Sequence, residues 1–398
     1  MKIFLVNAVC GIGSTGQICE DIAECAIKRG NECTIFYGNG YSNYSHAIKM
    51  TSNIGVKIHA ILARVTGLQG YFSTISTLKL LAGIDRTSPD IVHLHNLHGN
   101  YINVPVFLNG LKKRRIKTII TLHDCWFYTG KCTHYTKVGC YKWKKQCGRC
   151  IQLGNDIPSY YFDFTKKMIK DKRNIFEGFD TLTVIAVSEW IQKEAKYSIL
   201  KNNNIELIPN WVDVNKFTVE SRFHKNGSNE EFIILGVSAK WSQDMPKMQD
   251  FLKIAEKIPS HMKIRLVGEK VGNIKLAKNV EFIDFINDKN ALADIFQEAN
   301  IFLHLSREDS FGKVIIEAMS CGTPVIVYNS TACPELVQEG CGYVVEVDDI
   351  DGVVNRIKEV EEKGGIFYKD NCVNYAKKYS EEILVNQTID LYEKLVES

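Results

Sequence analysis

Apolar runs of strand length alternate with helix-period segments along almost the whole chain, and this restricts the fold more than any other feature. Ile3–Ala8 leads to a helical segment near Gln17–Arg29 and then to Cys33–Tyr37; later come Ile91–Leu94, a helix near Val104–Arg114 and Thr118–Leu122. Strands joined by helical crossovers must run parallel, so repetition of this unit builds a parallel sheet with helices on its faces. The pattern resumes with a helix near Phe164–Phe176, a strand Leu182–Ala186, a helix capped by Ser188 and a strand Glu206–Ile208. A second series starts at Phe232–Val237 and continues through helix Met248–Lys257, strands Lys263–Val267 and Val280–Phe282, and helix Leu292–Glu298. It ends with strand Ile301–Leu305, helix Gly312–Ser320, strand Pro324–Val327 and further helices.

At 398 residues the chain exceeds one typical core, given roughly 100–200 residues per domain. Two α/β domains are predicted, 1–213 and 214–375, with a C-terminal helix in 376–398 packing back towards the first. Between the two series lie Pro209–Asp213 and a polar tract, Glu220–Glu231, that contains His224–Ser228.

No stretch reaches the roughly 20 apolar residues of a membrane-spanning helix. The apolar start, Met1–Val9, runs into glycines where a signal peptide would continue, so it reads as a first strand and the protein as cytoplasmic. Thirteen cysteines in such a chain point to free thiols or metal rather than disulfides. Charge is unevenly distributed: residues 1–213 carry 27 Lys and Arg against 16 Asp and Glu, and the remainder 22 against 30.

The most informative segment is Arg307–Pro324, Arg-Glu-Asp-Ser-Phe-Gly-Lys-Val-Ile-Ile-Glu-Ala-Met-Ser-Cys-Gly-Thr-Pro. It follows a buried strand, turns at Ser310-Phe311-Gly312 and opens a helix. Free N–H groups and the positive dipole end at such a start suit a diphosphate. Asp309 precedes the turn and Glu317 lies about two helical turns inside, so one acid can reach a sugar and the other a ribose diol.

This string resembles the signature of retaining GT-B glycosyltransferases of family 4, an acid and a glutamate with seven residues between them, followed by a small-residue-Gly-Thr-Pro turn. The resemblance implies two Rossmann-like domains facing a central cleft, with a nucleotide-sugar held mainly by the second. The family's first acid is usually glutamate; here the spacing selects Asp309 and leaves Glu308 one position early. The resemblance extends to Gly11–Gly16, whose Gly13 and Gly16 correspond to a loop approaching the donor phosphates and acceptor. A dinucleotide-binding reading of that loop lacks the ribose-binding acid roughly 20 residues on; Tyr37 and Gly38 stand there. Lys247 matches a family cation facing the leaving diphosphate, with Lys240 the nearest substitute for a second. His123, beside Asp124, falls where the family carries a histidine facing the transferred sugar. His95 and His98 end another strand and line the acceptor side or merely cap the sheet.

Cys132, Cys140, Cys147 and Cys150 fall in an insert, 125–150, rich in Lys, Gly and Trp with little apolar capacity. Four thiolates with a Cys-x-x-Cys suit a structural zinc, and redox-active or buried thiols are the alternatives. The His-Asp-x-Trp, Thr-Gly-x-Cys and Cys-x-x-Cys elements resemble a family 4 subgroup that builds colanic-acid-type exopolysaccharide and capsule.

Basic clusters at Lys112–Arg115, Lys142–Lys145 and Lys166–Arg173 suit an anionic membrane face or a lipid-diphosphate-linked acceptor. Nucleic acid is the competing partner, and no recognised binding module accompanies the charge. The reading is transfer of a sugar from a nucleoside diphosphate donor to a glycan hydroxyl with retention, at the inner face of the membrane, with no cofactor needed for catalysis. The alternatives are a GT-B epimerase or phosphorylase and a zinc-stabilised basic binding protein without catalysis.

Overall fold

A computed structural model describes residues 1–219 and 231–397; the His224–Ser228 tract lies outside the described residues. The chain divides into two compact units, Met1–Pro209 with Leu384–Ser398, and Asn210–Ile383.

In the first unit seven strands are joined in a parallel sheet: β1 (Lys2–Asn7), β2 (Glu32–Tyr37), β3 (Ala47–Lys49), β4 (Ile91–Leu94), β5 (Lys117–Leu122), β6 (Leu182–Ala186) and β7 (Asn204–Leu207). Their order is β3-β2-β1-β4-β5-β6-β7. Helices α1 (Gly13–Lys28), α2 (Asn53–Thr66), α3 (Thr74–Thr87), α4 (Val104–Arg114), α5 (Thr165–Phe176) and α6 (Glu189–Lys196) make the crossovers. All of β4 and β6 is buried, as a sheet covered on both faces requires. Strand order reverses between β1 and β4, and their carboxyl ends flank the crevice in which open α/β sheets take ligands.

The second unit repeats this plan with β8 (Phe232–Trp241), β9 (Met262–Lys270), β10 (Val280–Ile283), β11 (Ile301–His304), β12 (Val325–Tyr328) and β13 (Gly342–Val345), ordered β10-β9-β8-β11-β12-β13 and parallel throughout. Helices α7 (Pro246–Lys257), α8 (Lys289–Glu298), α9 (Lys313–Ser320), α10 (Ile350–Lys363) and α11 (Gly365–Ala376) accompany it. Its switch point lies between β8 and β11. The β8–β9 pairing slips between Val237 and Lys240. At that slip Gly268 has φ 148°, and a Cβ there would sit 1.9 Å from the Ser238 carbonyl oxygen, so only glycine fits.

A last helix, α12 (Glu381–Glu397), returns to the first unit. Its Tyr392 hydroxyl lies 2.5 Å from His93 Nδ1 on β4, and Arg29 binds Asp390 at 2.6 Å and Glu393 at 2.8 Å. No described helix is long and apolar enough to cross a membrane.

Three sequence expectations change. The first helix begins at Gly13 rather than near Gln17, so Gly13 and Gly16 lie within its first turn. The slip at Val237 lets β8 run on to Trp241. The cysteine-rich insert does have an apolar interior, because Trp126, Tyr128, Tyr135 and Trp143 are buried and the rings of the last three pack together. Few residues suffice there because each aromatic side chain covers a large area.

Candidate active site

The second unit gathers its site residues around the β8–β11 switch point. After β11 the chain turns and enters α9 through Gly312, whose φ of 91° and ψ of 51° lie in the left-handed region. The turn is held from both sides. The Asp309 N–H donates to Thr331 Oγ1 at 2.9 Å, and Asp309 Oδ1 accepts from the Phe311 N–H at 3.1 Å. Arg307 anchors its start through ion pairs with the buried Asp250, at 2.8 Å, and with Asp348. At the far end of α9, Gly322 is left-handed and its N–H and that of Thr323 return to the Met319 and Ala318 carbonyls, a glycine-terminated helix end.

Two polar groups on this element are buried without hydrogen-bond partners among the described residues. One is Ser310 Oγ. Glu317 is 8% exposed, no hydrogen bond of its carboxylate occurs among the described residues, and burial raises its pKa against the lowering influence of Lys313 and Lys289. A buried carboxylate left unpaired costs stability unless a ligand completes it.

Lys247, in the first turn of α7, donates to the Val237 carbonyl at 3.1 Å and lies 4.9 Å from the Trp241 ring centre. Burial lowers its pKa to about 8, and Asp309 and Cys333 act in the opposite direction. Asp309 Oδ2 also lies 3.2 Å from Nε2 of His304, the last residue of β11. Sequence reasoning missed His304 and Cys333, because a single residue at a strand end or in a turn carries no periodic signal. Together with Asp309 they bring three donor atoms within 4.8 Å of one another. The nearby Lys247 charge opposes a cation at that point and favours an anionic ligand. Lys240 is not drawn into this cluster: it is exposed and pairs with Glu269 across β8 and β9 at 3.3 Å.

In the first unit the β1–α1 loop carries the left-handed Gly11 and Gly13. A Cβ on Gly16 would stand 3.1 Å from the Gly11 nitrogen and 3.2 Å from Val9 Cγ2, which keeps the loop closed over the helix start. Across the switch point, the histidines at the ends of β4 and β5 form one array. His93 Nε2 meets Thr121 Oγ1 at 2.7 Å, the His93 and His95 rings are 4.1 Å apart, and His95 Nδ1 meets His123 Nε2 at 2.9 Å. Burial pushes the pKa of His93 to about 3, that of His123 to about 4 and that of His95 well down. His95 Nε2 is buried with no hydrogen-bond partner among the described residues. Beside them, His98 Nε2 and Asp124 Oδ2 are 2.9 Å apart, and Asp124 Oδ1 accepts from the Trp126 N–H at 2.8 Å. Burial works against a charged His98, but Asp124 outweighs it and raises the pKa; burial likewise opposes a charged Asp124, and His98 and the Trp126 N–H bring its pKa below the ordinary value.

Two parallel-sheet α/β units of this kind match the architecture of GT-B glycosyltransferases. The chain belongs to glycosyltransferase family 4: that family's model matches residues 15–216, and a second, for glycosyl transferases group 1, matches residues 248–379. It is 24% identical over 375 residues to a putative colanic acid biosynthesis glycosyl transferase, WcaC, of Escherichia coli K12, covering 88% of each chain. Among solved structures it is similar to sucrose-phosphate synthase from Thermosynechococcus elongatus, with a TM-score of 0.69, 18% identity and coverage of 99% and 98%. It is also similar to Anabaena HepE in complex with UDP-glucose, with a TM-score of 0.66, 15% identity and coverage of 99% and 100%.

Proposed function

We propose that this glycosyltransferase moves a sugar from a nucleoside diphosphate donor to a hydroxyl of a lipid-linked glycan, with retention of configuration, in the synthesis of exopolysaccharide or capsule. The observation that carries the donor assignment is the pair of buried groups Ser310 and Glu317 on the element that starts α9, neither with a side-chain hydrogen bond among the described residues. A nucleotide-sugar supplies what each lacks. Its ribose hydroxyls donate to Glu317, its diphosphate takes Ser310 and the N–H groups at the start of α9, and Lys247 balances its charge. Asp309 holds a hydroxyl of the sugar.

In the reaction the bond from the anomeric carbon to the diphosphate oxygen breaks and a bond to the acceptor oxygen forms on the same face. The acceptor's proton passes to the departing diphosphate oxygen. Negative charge grows on that diphosphate, so Lys247 and the α9 amides bind the transition state more tightly than the donor. His123, kept neutral by burial and held by His95, faces the transferred sugar as a hydrogen-bond partner. His95, His98 and Asp124 border the acceptor, and Gly13 and Gly16 let the backbone approach it. This chemistry requires no divalent ion.

A lipid-linked acceptor calls for contact with a membrane, and α2 supports it. Ile54, Ile58 and Ile61 of α2 are 70%, 54% and 60% exposed, and Tyr160, Tyr161 and Phe162 are exposed near its end, where the Tyr160 N–H donates to the Arg64 carbonyl at 2.8 Å. The helix carries Lys57 and Arg64 and no acid, a composition suited to the interface of an anionic bilayer.

The reading is tested by thermal shift with UDP-, GDP- and ADP-sugars, then by nuclear magnetic resonance of the product formed from the stabilising donor. Stabilisation by one donor class and an anomeric configuration equal to the donor's is the expected result. An inverted product would overturn retention, and no stabilisation by any donor would overturn the donor site.

A further inference from the structure

Residues 125–164 contain little regular structure: one three-residue 3-10 turn, Lys142–Lys144, stands among turns and bends. Unsupported segments of this length are uncommon within compact domains. The buried aromatic group supplies one support, and the cysteines surround a second feature. Cys132, Cys140, Cys147 and Cys150 all line a single cavity of about 20 Å³, which is room for one water-sized body and too little for an iron–sulfur cluster.

The local backbone turns the cysteines inwards. Gly148 and Arg149, between Cys147 and Cys150, have φ values of 130° and 47°. Lys142 clamps this turn by donating to the Gly148 and Arg149 carbonyls at 3.2 and 3.0 Å.

A second observation concerns charge. Lys131 and Lys172 are 2% and 4% exposed, and no carboxylate among the described residues lies within ion-pair distance of either. Lys131 donates to the Leu153 and Ile157 carbonyls, both at 2.9 Å, and Lys172 to those of Trp126 and Thr129. Carbonyls solvate an ammonium but do not neutralise it, and buried charge without a counter-charge is expensive. Burial lowers the pKa of both lysines, that of Lys172 to about 7, and negative groups nearby oppose it: Cys150, Cys132, Asp156 and Asp163 for Lys131, and Cys147, Asp124 and Cys132 for Lys172. Neutral thiols, or two disulfides, would add no negative charge beside these two buried lysines. Zinc held by four thiolates carries a net charge of −2 and balances them.

We propose that Cys132, Cys140, Cys147 and Cys150 hold one structural zinc ion, with Lys131 and Lys172 as its buried counter-charges. Around tetrahedral zinc the sulfurs stand about 3.8 Å apart, at Zn–S distances of about 2.3 Å. They surround the cavity more loosely here, since the tight three-donor set among the described residues is His304, Asp309 and Cys333. The ion therefore draws the four sulfurs inwards, releasing their protons as it binds. Soft thiolate ligands select zinc over magnesium or calcium. The ion joins Cys132, which lies between the buried Tyr128 and Tyr135, to the Cys147–Cys150 turn, so its role is to fix the insert that follows His123 and Asp124.

The test uses the full chain purified under reducing conditions without added metal. Elemental analysis should find roughly one zinc per chain, released in step with mercurial titration of four thiols. Growth with cobalt in place of zinc should yield the thiolate-to-cobalt charge-transfer band and the intense ligand-field bands of a tetrahedral site. Cys140→Ser and Cys147→Ser should each lower bound zinc at least tenfold, while Cys321→Ser, elsewhere in the chain, retains it. The cobalt spectrum of the unaltered chain is an independent readout that does not depend on the cluster variants folding. Zinc below a tenth of an equivalent with all thirteen thiols reactive after unfolding would overturn the proposal, as would the mass loss of two disulfides in unreduced protein.

Discussion

The Nδ1 of His95 and the Nε2 of His123 are 2.9 Å apart, so one nitrogen carries the shared proton and the other accepts it. Both rings are held neutral by burial, and a second proton would set two donors against each other. His93 and His123 have folded pKa values of about 3 and about 4, below the ordinary 6.5. The unfolded chain therefore binds more protons than the native one below 6.5, and stability is full above that value and lost as pH falls towards 4. Urea denaturation at about pH 7.5 and about pH 5 should show the midpoint falling with acidification. A midpoint that rises would mean the array is charged in the folded state.

His123→Ala removes the group assigned to the transferred sugar while leaving the donor nucleotide's contacts in the second unit. The kcat is expected to fall by roughly 10²-fold or more, the scale for loss of one positioned hydrogen-bonding group, with nucleoside diphosphate affinity unchanged. Equal losses in both would indicate general disruption instead.

Lys247 has a pKa of about 8 in the free protein. Diphosphate binds its charged form, so donor affinity should decline as pH rises through 8, and calorimetry near that pH should register proton uptake. Lys247→Arg keeps the charge at all these values and should abolish both effects. A flat affinity profile in the unaltered chain would remove Lys247 from the diphosphate.

Glu317 is buried, unpaired and has a raised pKa. Glu317→Gln should raise the melting temperature of the ligand-free chain, since it removes an uncompensated carboxylate. It should also weaken donor binding by about 1.5–3 kcal/mol, the usual worth of a hydrogen bond to a charged group. A gain in melting temperature with unchanged affinity would make Glu317 structural only.

Ile58→Glu places a charge amid the exposed face of α2 and should reduce sedimentation with anionic vesicles at least fivefold. The unaltered chain should bind these vesicles less as salt increases. Equal binding to neutral vesicles would undo the electrostatic part of the reading.

The buried strands were legible because their residues leave little choice. Leu182–Ala186 reads as a strand and is β6 to the residue, and Ser188 accepts from the Ile191 N–H as its position before a helix implies. By contrast α2 escaped sequence reading because its apolar residues face outward: Ile54, Ile58 and Ile61 are exposed while His59 and Ala63 are buried. Periodicity cannot identify a helix whose polar histidine points to the core. At the candidate site, Asp309, Ser310 and Glu317 were visible through their spacing. The contribution of His304 and Cys333 depends on β11 and the turn after β12 approaching in space, which no local pattern encodes.

The return of α12 has a consequence for how the chain comes into being. During synthesis β1 to β7 emerge before the whole second unit, yet the buried His93 lacks its Tyr392 partner, and Arg29 lacks Asp390 and Glu393, until almost four hundred residues have left the ribosome. The first-made half is thus the last to be finished, and a stop codon shortly before Tyr392 would harm the fold at the opposite end of the gene.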